Sequence, residues 1–384
     1  MKIAIVSGDD ANGDDAGQLC AALTAQGHHV TAYVRRHGRR RAGKNTKHPY
    51  QVVAMAIGPD VTRPARDVLP FVGEWAAKLE RHWSSHPPAV VHAHGWLGGL
   101  AAQLAARQQR LPTVQSFYGL ATASKSADCR HVEIERERIE PLLARNATWV
   151  TVESSSDVDA VARLRRSRAR VSVLLGGVDV ERYTPVGPAL AHGDLFRVVC
   201  LASNPLLGNG FDIVVRALPK VPGTELVVAE TAGADPCHDE ARSGLKQLAT
   251  ELGVADRVRF VSTAVGDQLP QLLRSADVVA CTPREPTRAA AVLQAMASGA
   301  PVVALPIGVL GDAIVHGVTG LLLSPSDPLE LVGALRSLQG QRFRRESMGA
   351  AGRSRVLSRF TWDRMALESL TIYQRLTLPT AHVG

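Results

Sequence analysis

Short apolar runs alternate with segments of helical period from one end of the chain to the other. In the first half the runs fall at Lys2–Ser7, His29–Val34, Gln51–Ile57, Ala89–His92, Thr113–Phe117, Trp149–Glu153 and Val171–Leu175. Bounded by Gly or Pro, they read as strands. Amphipathic stretches at Gln18–Gln26, Ala65–Trp83, Leu97–Gln108 and Glu133–Ala144 separate most of them. The alternation then restarts, with strands at Phe196–Ala202, Glu225–Ala229, Val258–Val261, Val278–Cys281, Pro301–Leu305 and Gly320–Leu323. Helical period marks Gly210–Leu218, Glu240–Leu252, Ala289–Ala297, Pro328–Leu338 and a closing stretch from Phe343 to about Leu376. Strands separated by helices describe an α/β protein with doubly wound parallel sheets, and the restart predicts two of them.

A Pro- and Gly-rich stretch without periodicity, Tyr183–Gly193, lies between the two series. The expected division is a first Rossmann-like domain over 1–183, a linker over 184–193, a second Rossmann-like domain over 194–358 and a terminal helix and tail over 359–384. Two such domains are expected to bind ligands in a cleft at the carboxyl ends of their strands.

Composition narrows the field. The 384 residues are 45% hydrophobic and 21% charged, the balance of a folded globular chain, and the formal net charge of +8 suggests acidic partners. The opening run Ile3–Val6 is too short for a signal peptide, and no stretch approaches the ~18 apolar residues of a membrane span. Five widely spaced cysteines without a Cys-x-x-Cys pair read as small buried hydrophobes in a reducing compartment. The expected location is the cytoplasm.

Few motifs carry chemistry on spacing alone. The loop Gly8–Gly17 follows the first strand, where a phosphate cradle would sit, but its four carboxylates, Asp9, Asp10, Asp14 and Asp15, would repel phosphate. It suits a hydroxyl-rich or cationic ligand or a metal, or it is a solvated acidic turn. His92-Ala93-His94 ends a strand, and the expectation is that its two imidazoles point to opposite faces, one in the sheet and one at the mouth of the site, which argues against a zinc pair. No Ser-His-Asp, His-Glu-x-x-His or P-loop pattern is present. Basic residues run from Arg35 through Arg36, Arg39, Arg40, Arg41 and Lys44 to Lys47, and again through Arg163, Arg165, Arg166, Arg168 and Arg170. Without interleaved aromatics they argue against a nucleic-acid platform, leaving solvated surface, or peripheral contact with an anionic membrane or a lipid-linked acceptor.

Several segments together resemble the retaining family-4 glycosyltransferases of the GT-B fold, near the sucrose-phosphate-synthase and mycothiol-pathway branch. The resemblance rests on Val90–Gly99, on Leu175–Pro185, on Ala295–Ala304, on Gly317–Leu322 and on the closing Phe360-Thr361-Trp362-Asp363-Arg364. It implies transfer of a sugar, with retention, from a nucleoside-diphosphate donor to an acceptor hydroxyl, with no metal and no further cofactor. The acceptor is left open among a small cyclitol, a lipid-linked sugar and a secondary metabolite. It places His94 and Tyr118 at the catalytic positions, Tyr118 standing where the family has a histidine. Asp9, Asp10 and Trp96 fall on the acceptor side.

At the donor site the resemblance implies an Arg and a Lys on the phosphates and two Glu on the sugar and ribose. This chain has Asn204 for the Arg, Asn209 for the Lys, Gln294 for the second Glu, and Pro286 at the first Glu with Glu285 one residue early. Gly308, Val309 and Leu310 keep part of the phosphate-facing turn. Two readings follow: an altered donor site in which Arg284 or Arg288 supplies the missing cation, or a catalytically impaired relative that binds or partners another enzyme.

Overall fold

The computed structural model describes residues 1–8, 15–36, 48–58, 65–121, 130–191, 193–231, 238–262, 268–325 and 327–378. The chain divides into two compact units, one comprising 1–176 with 362–384 and the other 177–361.

In the first unit seven strands run parallel: β1 (Lys2–Ser7), β2 (His29–Arg35), β3 (Gln51–Met55), β4 (Val90–His94), β5 (Thr113–Phe117), β6 (Trp149–Val152) and β7 (Val171–Val173). Their order is β3-β2-β1-β4-β5-β6-β7. Consecutive residues of β1 feed opposite faces. Ala4 and Val6 join a core with Trp75, Trp83 and Leu97, while Ile3 and Ile5 join a second with Leu19, Leu23 and Tyr373. Both faces are therefore buried, the condition under which parallel strands read as unbroken apolar runs.

Helices α1 (Asp15–Ala25), α2 (Ala65–Val68), α3 (Val72–Ser85), α4 (Trp96–Gln109), α5 (Arg130–Asn146) and α6 (Ser155–Arg165) belong to this unit. The single helix expected over Ala65–Trp83 is broken, because Pro70 sits in a 3-10 turn (Leu69–Phe71) between α2 and α3. Helix α6 was missed; its signal is the Ser154 cap, whose hydroxyl accepts from the Ser156 amide at 3.1 Å.

The second unit holds six parallel strands, β8 (Phe196–Ala202), β9 (Thr224–Glu230), β10 (Val258–Ser262), β11 (Val278–Cys281), β12 (Val302–Ala304) and β13 (Gly320–Leu322), in the order β10-β9-β8-β11-β12-β13. Around them lie α7 (Phe211–Ala217), α8 (Asp239–Glu251), α9 (Gln268–Arg274), α10 (Ala290–Ala297), α11 (Val309–Ala313), α12 (Pro328–Gly340) and α13 (Arg342–Arg359). The closing helical stretch is two helices, α13 and α14 (Trp362–Thr377), and the second belongs to the first unit. There Met365, Ala366, Leu370, Ile372 and Tyr373 pack with the residues of α1 and β1.

The segment expected as a linker is laid down on the second unit. Arg274 donates to the carbonyls of Pro188 (2.6 Å) and Thr184 (3.4 Å), and the Leu190 amide donates to Gln271 (3.1 Å). Arg353 holds the carbonyls of Tyr183, Val180 and Ala297. A stretch without periodicity is ordered here because arginines satisfy its carbonyls one by one. The units consequently divide at 176/177 and 361/362, not at the expected 183 and 358.

Arginines that looked like charged surface serve the same purpose elsewhere. Arg35, expected to open a solvated basic run, is 3% exposed and donates to the Ile57 carbonyl at 3.1 Å. Arg165 donates to the carbonyls of Ala144 (2.8 Å) and Ala147 (2.7 Å) at the end of α5, and partial burial lowers its pKa from the ordinary arginine value. The rest of the first run, from Arg39 to Lys47, lies outside the described residues. Among the described residues no helix is long and apolar enough to cross a membrane, and Cys20, Cys200 and Cys281 are buried thiols outside any disulfide.

Candidate functional site

In each sheet the strand order reverses once, between β1 and β4 in the first and between β8 and β11 in the second. At such a point neighbouring connections leave in opposite directions and open a crevice beyond the carboxyl ends. His94 in the first unit, and the Asn204–Asn209 turn and Glu285 in the second, lie at or just beyond the carboxyl ends of strands that flank the reversal.

In the first unit β4 ends in His92-Ala93-His94, with His92 opposite Ile5 and Val114 and His94 opposite Ser7 and Ser116. The two imidazoles share one face, their ring centroids 4.3 Å apart, rather than lying on opposite faces. Residues two apart in a strand point the same way, so the expectation mistook the period.

The pair is nevertheless differentiated. Both rings are fully buried, and it is their partners that differ: His92 has its Nδ1 2.6 Å from the Tyr373 hydroxyl and its Nε2 2.7 Å from Ser116, whose hydroxyl meets that of Thr151 at 2.6 Å. Burial, and then the neighbouring His94, hold the His92 pKa well below the ordinary imidazole value. A neutral ring donates from one nitrogen and accepts at the other, which suits two hydroxyl partners. His94, one step nearer the strand end, pairs through Nδ1 with the Tyr118 hydroxyl just beyond β5, and the two rings lie nearly parallel. The residues expected at the catalytic positions thus meet each other. Sequence reasoning missed Tyr373, 281 residues from His92, because no local pattern ties α14 to β4.

Trp96 opens α4 but is 3% exposed within the first core. It backs the His94 strand instead of forming an open wall on the acceptor side. Asp9 and Asp10 lie outside the described residues.

In the second unit the loop after β8 carries Asn204 and Asn209, both half-buried. The Asn209 amide donates to the backbone oxygen (3.0 Å) and side-chain oxygen (2.8 Å) of Asn204, which also accepts from the Leu206 amide at 3.2 Å. Gly210 then takes φ +70°, and a Cβ there would lie 1.7 Å from the Thr282 carbonyl. Only glycine fits that approach. The Thr282 hydroxyl in turn donates to the Gly210 carbonyl at 2.9 Å.

The loop after β11 closes on the same turn. The Arg284 amide donates to Gly208 (2.8 Å) and its guanidinium to Leu207 (2.9 Å), while both terminal nitrogens take the two carboxylate oxygens of Asp212, at 2.6 and 2.8 Å. The hydrogen bond to Asp212 raises the Arg284 pKa above its ordinary value. The Glu285 carboxylate lies 3.5 Å from where a Gly208 Cβ would stand, and Pro286 packs under Gly308. Val309 and Leu310 are buried, so that turn presents backbone and not side chains. Arg288, before α10, and Gln294, within it, are both half-buried. The structure therefore brings the β8 loop, Glu285 and the Gly308 turn to the ends of three adjacent strands. Asp212, missed in the sequence, carries no signal beyond its place in the first turn of α7.

The description "Glycosyltransferase Family 4" matches residues 16–182, and "Glycosyl transferases group 1" matches 196–341. A D-inositol 3-phosphate glycosyltransferase of Salinispora tropica is 30% identical over 310 residues, which cover 74% of this chain and 63% of that one. Another, of Xylanimonas cellulosilytica, is 30% identical over 319 residues, 78% of this chain and 75% of that one. Among solved structures, a sucrose-phosphate synthase of Thermosynechococcus elongatus superposes with a TM-score of 0.84 at 22% identity, covering 97% of this chain and 98% of the other. Anabaena HepE, in a complex with UDP and glucose, superposes with a TM-score of 0.75 at 20% identity, covering 97% and 99%. These neighbours share the GT-B architecture of two doubly wound parallel-sheet units, and with matched domains in both halves the chain belongs to the family-4, group-1 glycosyltransferases.

Proposed function

We propose that the protein transfers a sugar, with retention, from a nucleoside-diphosphate donor to a hydroxyl of an acceptor. What supports this reading is that His94, paired with Tyr118, and the Asn204–Asn209 turn each lie at the carboxyl end of a strand that flanks the order reversal of its sheet. In the first unit His94 and Tyr118 would meet the acceptor hydroxyl, with Asp9 and Asp10 on the acceptor side. In the second, the side-chain amide of Asn204, braced by Asn209, and the backbone at Gly308–Leu310 would face the diphosphate. Arg288 would add positive charge, and Glu285 and Gln294 would bind the hydroxyls of sugar and ribose. A diphosphate calls for cations or N–H donors and a sugar for carboxylate or amide partners, which is the division of residues here. The reaction takes the nucleotide sugar and no further cofactor or metal.

The relatives' names put a phosphorylated cyclitol first among acceptors to try. Incubation of the protein with UDP-glucose, UDP-N-acetylglucosamine or GDP-mannose and an inositol phosphate, followed by proton NMR of the anomeric signal, tests both transfer and retention. Product of unchanged anomeric configuration, lost in His94→Ala, supports the reading; inverted product refutes it.

One observation favours a second reading, a catalytically impaired homologue that binds a partner: at the two expected cation positions stand neutral asparagines bonded to each other. Donor hydrolysis and transfer both absent under saturating donor, with nucleotide still bound, would decide for it. On either reading we place the protein in the cytoplasm, with the run from Arg36 to Lys47 against an anionic membrane. Co-sedimentation with acidic vesicles that fades as salt rises tests that contact.

A further inference from the structure

Arg284 lies against the turn that carries Asn204 and Asn209, and both terminal nitrogens of its guanidinium are bonded to protein groups. Both terminal nitrogens are on Asp212 and one is also on the Leu207 carbonyl, while its own amide holds Gly208. Those bonds fasten consecutive carbonyls of the 204–210 turn to the end of β11. The Arg284 side chain is 39% exposed and that of Asp212 12%, so the pair is partly withdrawn from water and its fork geometry counts. Arg284 also lines a cavity of about 460 Å³ with Asp212, Arg216, Leu305, Ile307, Ser324 and Leu331. Its guanidinium is held toward α7 by Asp212, on the wall of a cavity that the loop leading to Gly308 also lines.

We infer that Arg284 is a positioning residue of the donor site, acting with Asp212 to hold the 204–210 turn in its binding shape, and is not a ligand of the diphosphate. The inference rests on the donor-site reading above, and it reverses the role that sequence spacing suggested for this arginine. Its consequence is a sign. If Arg284 bound phosphate, removing the Asp212 charge would release it and tighten binding; if Arg284 positions the turn, the same change loosens it.

The experiment uses the full chain, with UDP affinity measured by calorimetry and hydrogen exchange of residues 205–212 followed without nucleotide. Arg284→Ala and Asp212→Asn are each expected to weaken UDP about tenfold, the equivalent of one charge-assisted hydrogen bond. The double variant should be no weaker than either alone, since the two residues act as one unit. Both variants should speed exchange across 205–212 while the rest of the second unit keeps its protection. Arg284→Lys keeps the charge but not the fork and should resemble Arg284→Ala. Tighter UDP binding by Asp212→Asn, full affinity in Arg284→Lys, or unchanged exchange in Arg284→Ala would each overturn the inference. Faster exchange in both variants of a protein that binds no UDP would establish the clamp and count against the donor-site reading alone.

Discussion

Asn209 spends its amide on Asn204, reaching both the backbone oxygen at 3.0 Å and the side-chain oxygen at 2.8 Å. Two residues that the resemblance sets where cations are expected thereby form a latch that closes the loop between β8 and α7. Side-chain amides donate hydrogen bonds but bring no charge, so the loop that would face a diphosphate offers shape and N–H groups in place of Coulomb attraction.

Replacing the latch with the cations, Asn204→Arg with Asn209→Lys, should tighten UDP binding about tenfold or more. Each regained charge-assisted bond is worth ~1.5–3 kcal/mol against ~1 kcal/mol for each amide bond lost. Either change alone breaks the latch and gains one cation, so the single variants should gain little. Calorimetry on the three variants checks this; an additive pair would contradict the shared latch.

Gly210→Ala should destabilise the second unit by about 3 kcal/mol or more, combining a positive φ with a Cβ driven into the Thr282 carbonyl. Urea unfolding measures it. A cost below ~1 kcal/mol would mean that the turn relaxes freely, and the tight joining of the β8 and β11 loops would not hold.

His92 makes stability depend on pH. Its folded pKa is depressed, so the unfolded state binds the proton more readily, and the stabilisation present above the unfolded imidazole pKa is lost as pH falls. Below pH ~6.5 the slope contributed by this ring should approach ~1.4 kcal/mol per unit. His28 and His82, also shifted downward, add to the same trend. His92→Phe should cost ~1–3 kcal/mol at pH 8 by stranding the Tyr373 and Ser116 hydroxyls, and should flatten the slope by about one proton. Denaturant midpoints from pH 8 to 4.5 in both proteins decide it; parallel curves would mean that the ring does not stay neutral.

Arg274→Ala should expose the segment over 184–190. With the Pro188 and Thr184 carbonyls released, cleavage there by proteinase K should speed about tenfold, tracking local opening. Equal cleavage rates in the two proteins would show that the segment opens regardless of its arginine.

The apolar runs alone determined the strands, because a parallel sheet covered on both faces needs unbroken Val and Ile where a half-exposed strand would need alternation. Thus β1 and β11 begin and end where the sequence places them, and so do β5 and β8, although Gln115, Ser116 and Arg197 interrupt their apolar runs. The segments that carry the family resemblance, Val90–Gly99 among them, were legible for a similar reason, since their residues are neighbours in the chain. What tertiary structure decided lies in contacts between distant residues. Tyr373 reaches His92 and Asp212 takes Arg284 only after sheets and helices have assembled, and arginine side chains settle the fate of an aperiodic segment such as 184–190. Whether an arginine is a ligand, a surface charge or a clamp depends on which carbonyls and carboxylates folding brings within ~3 Å, and hydrophobic period carries no record of that.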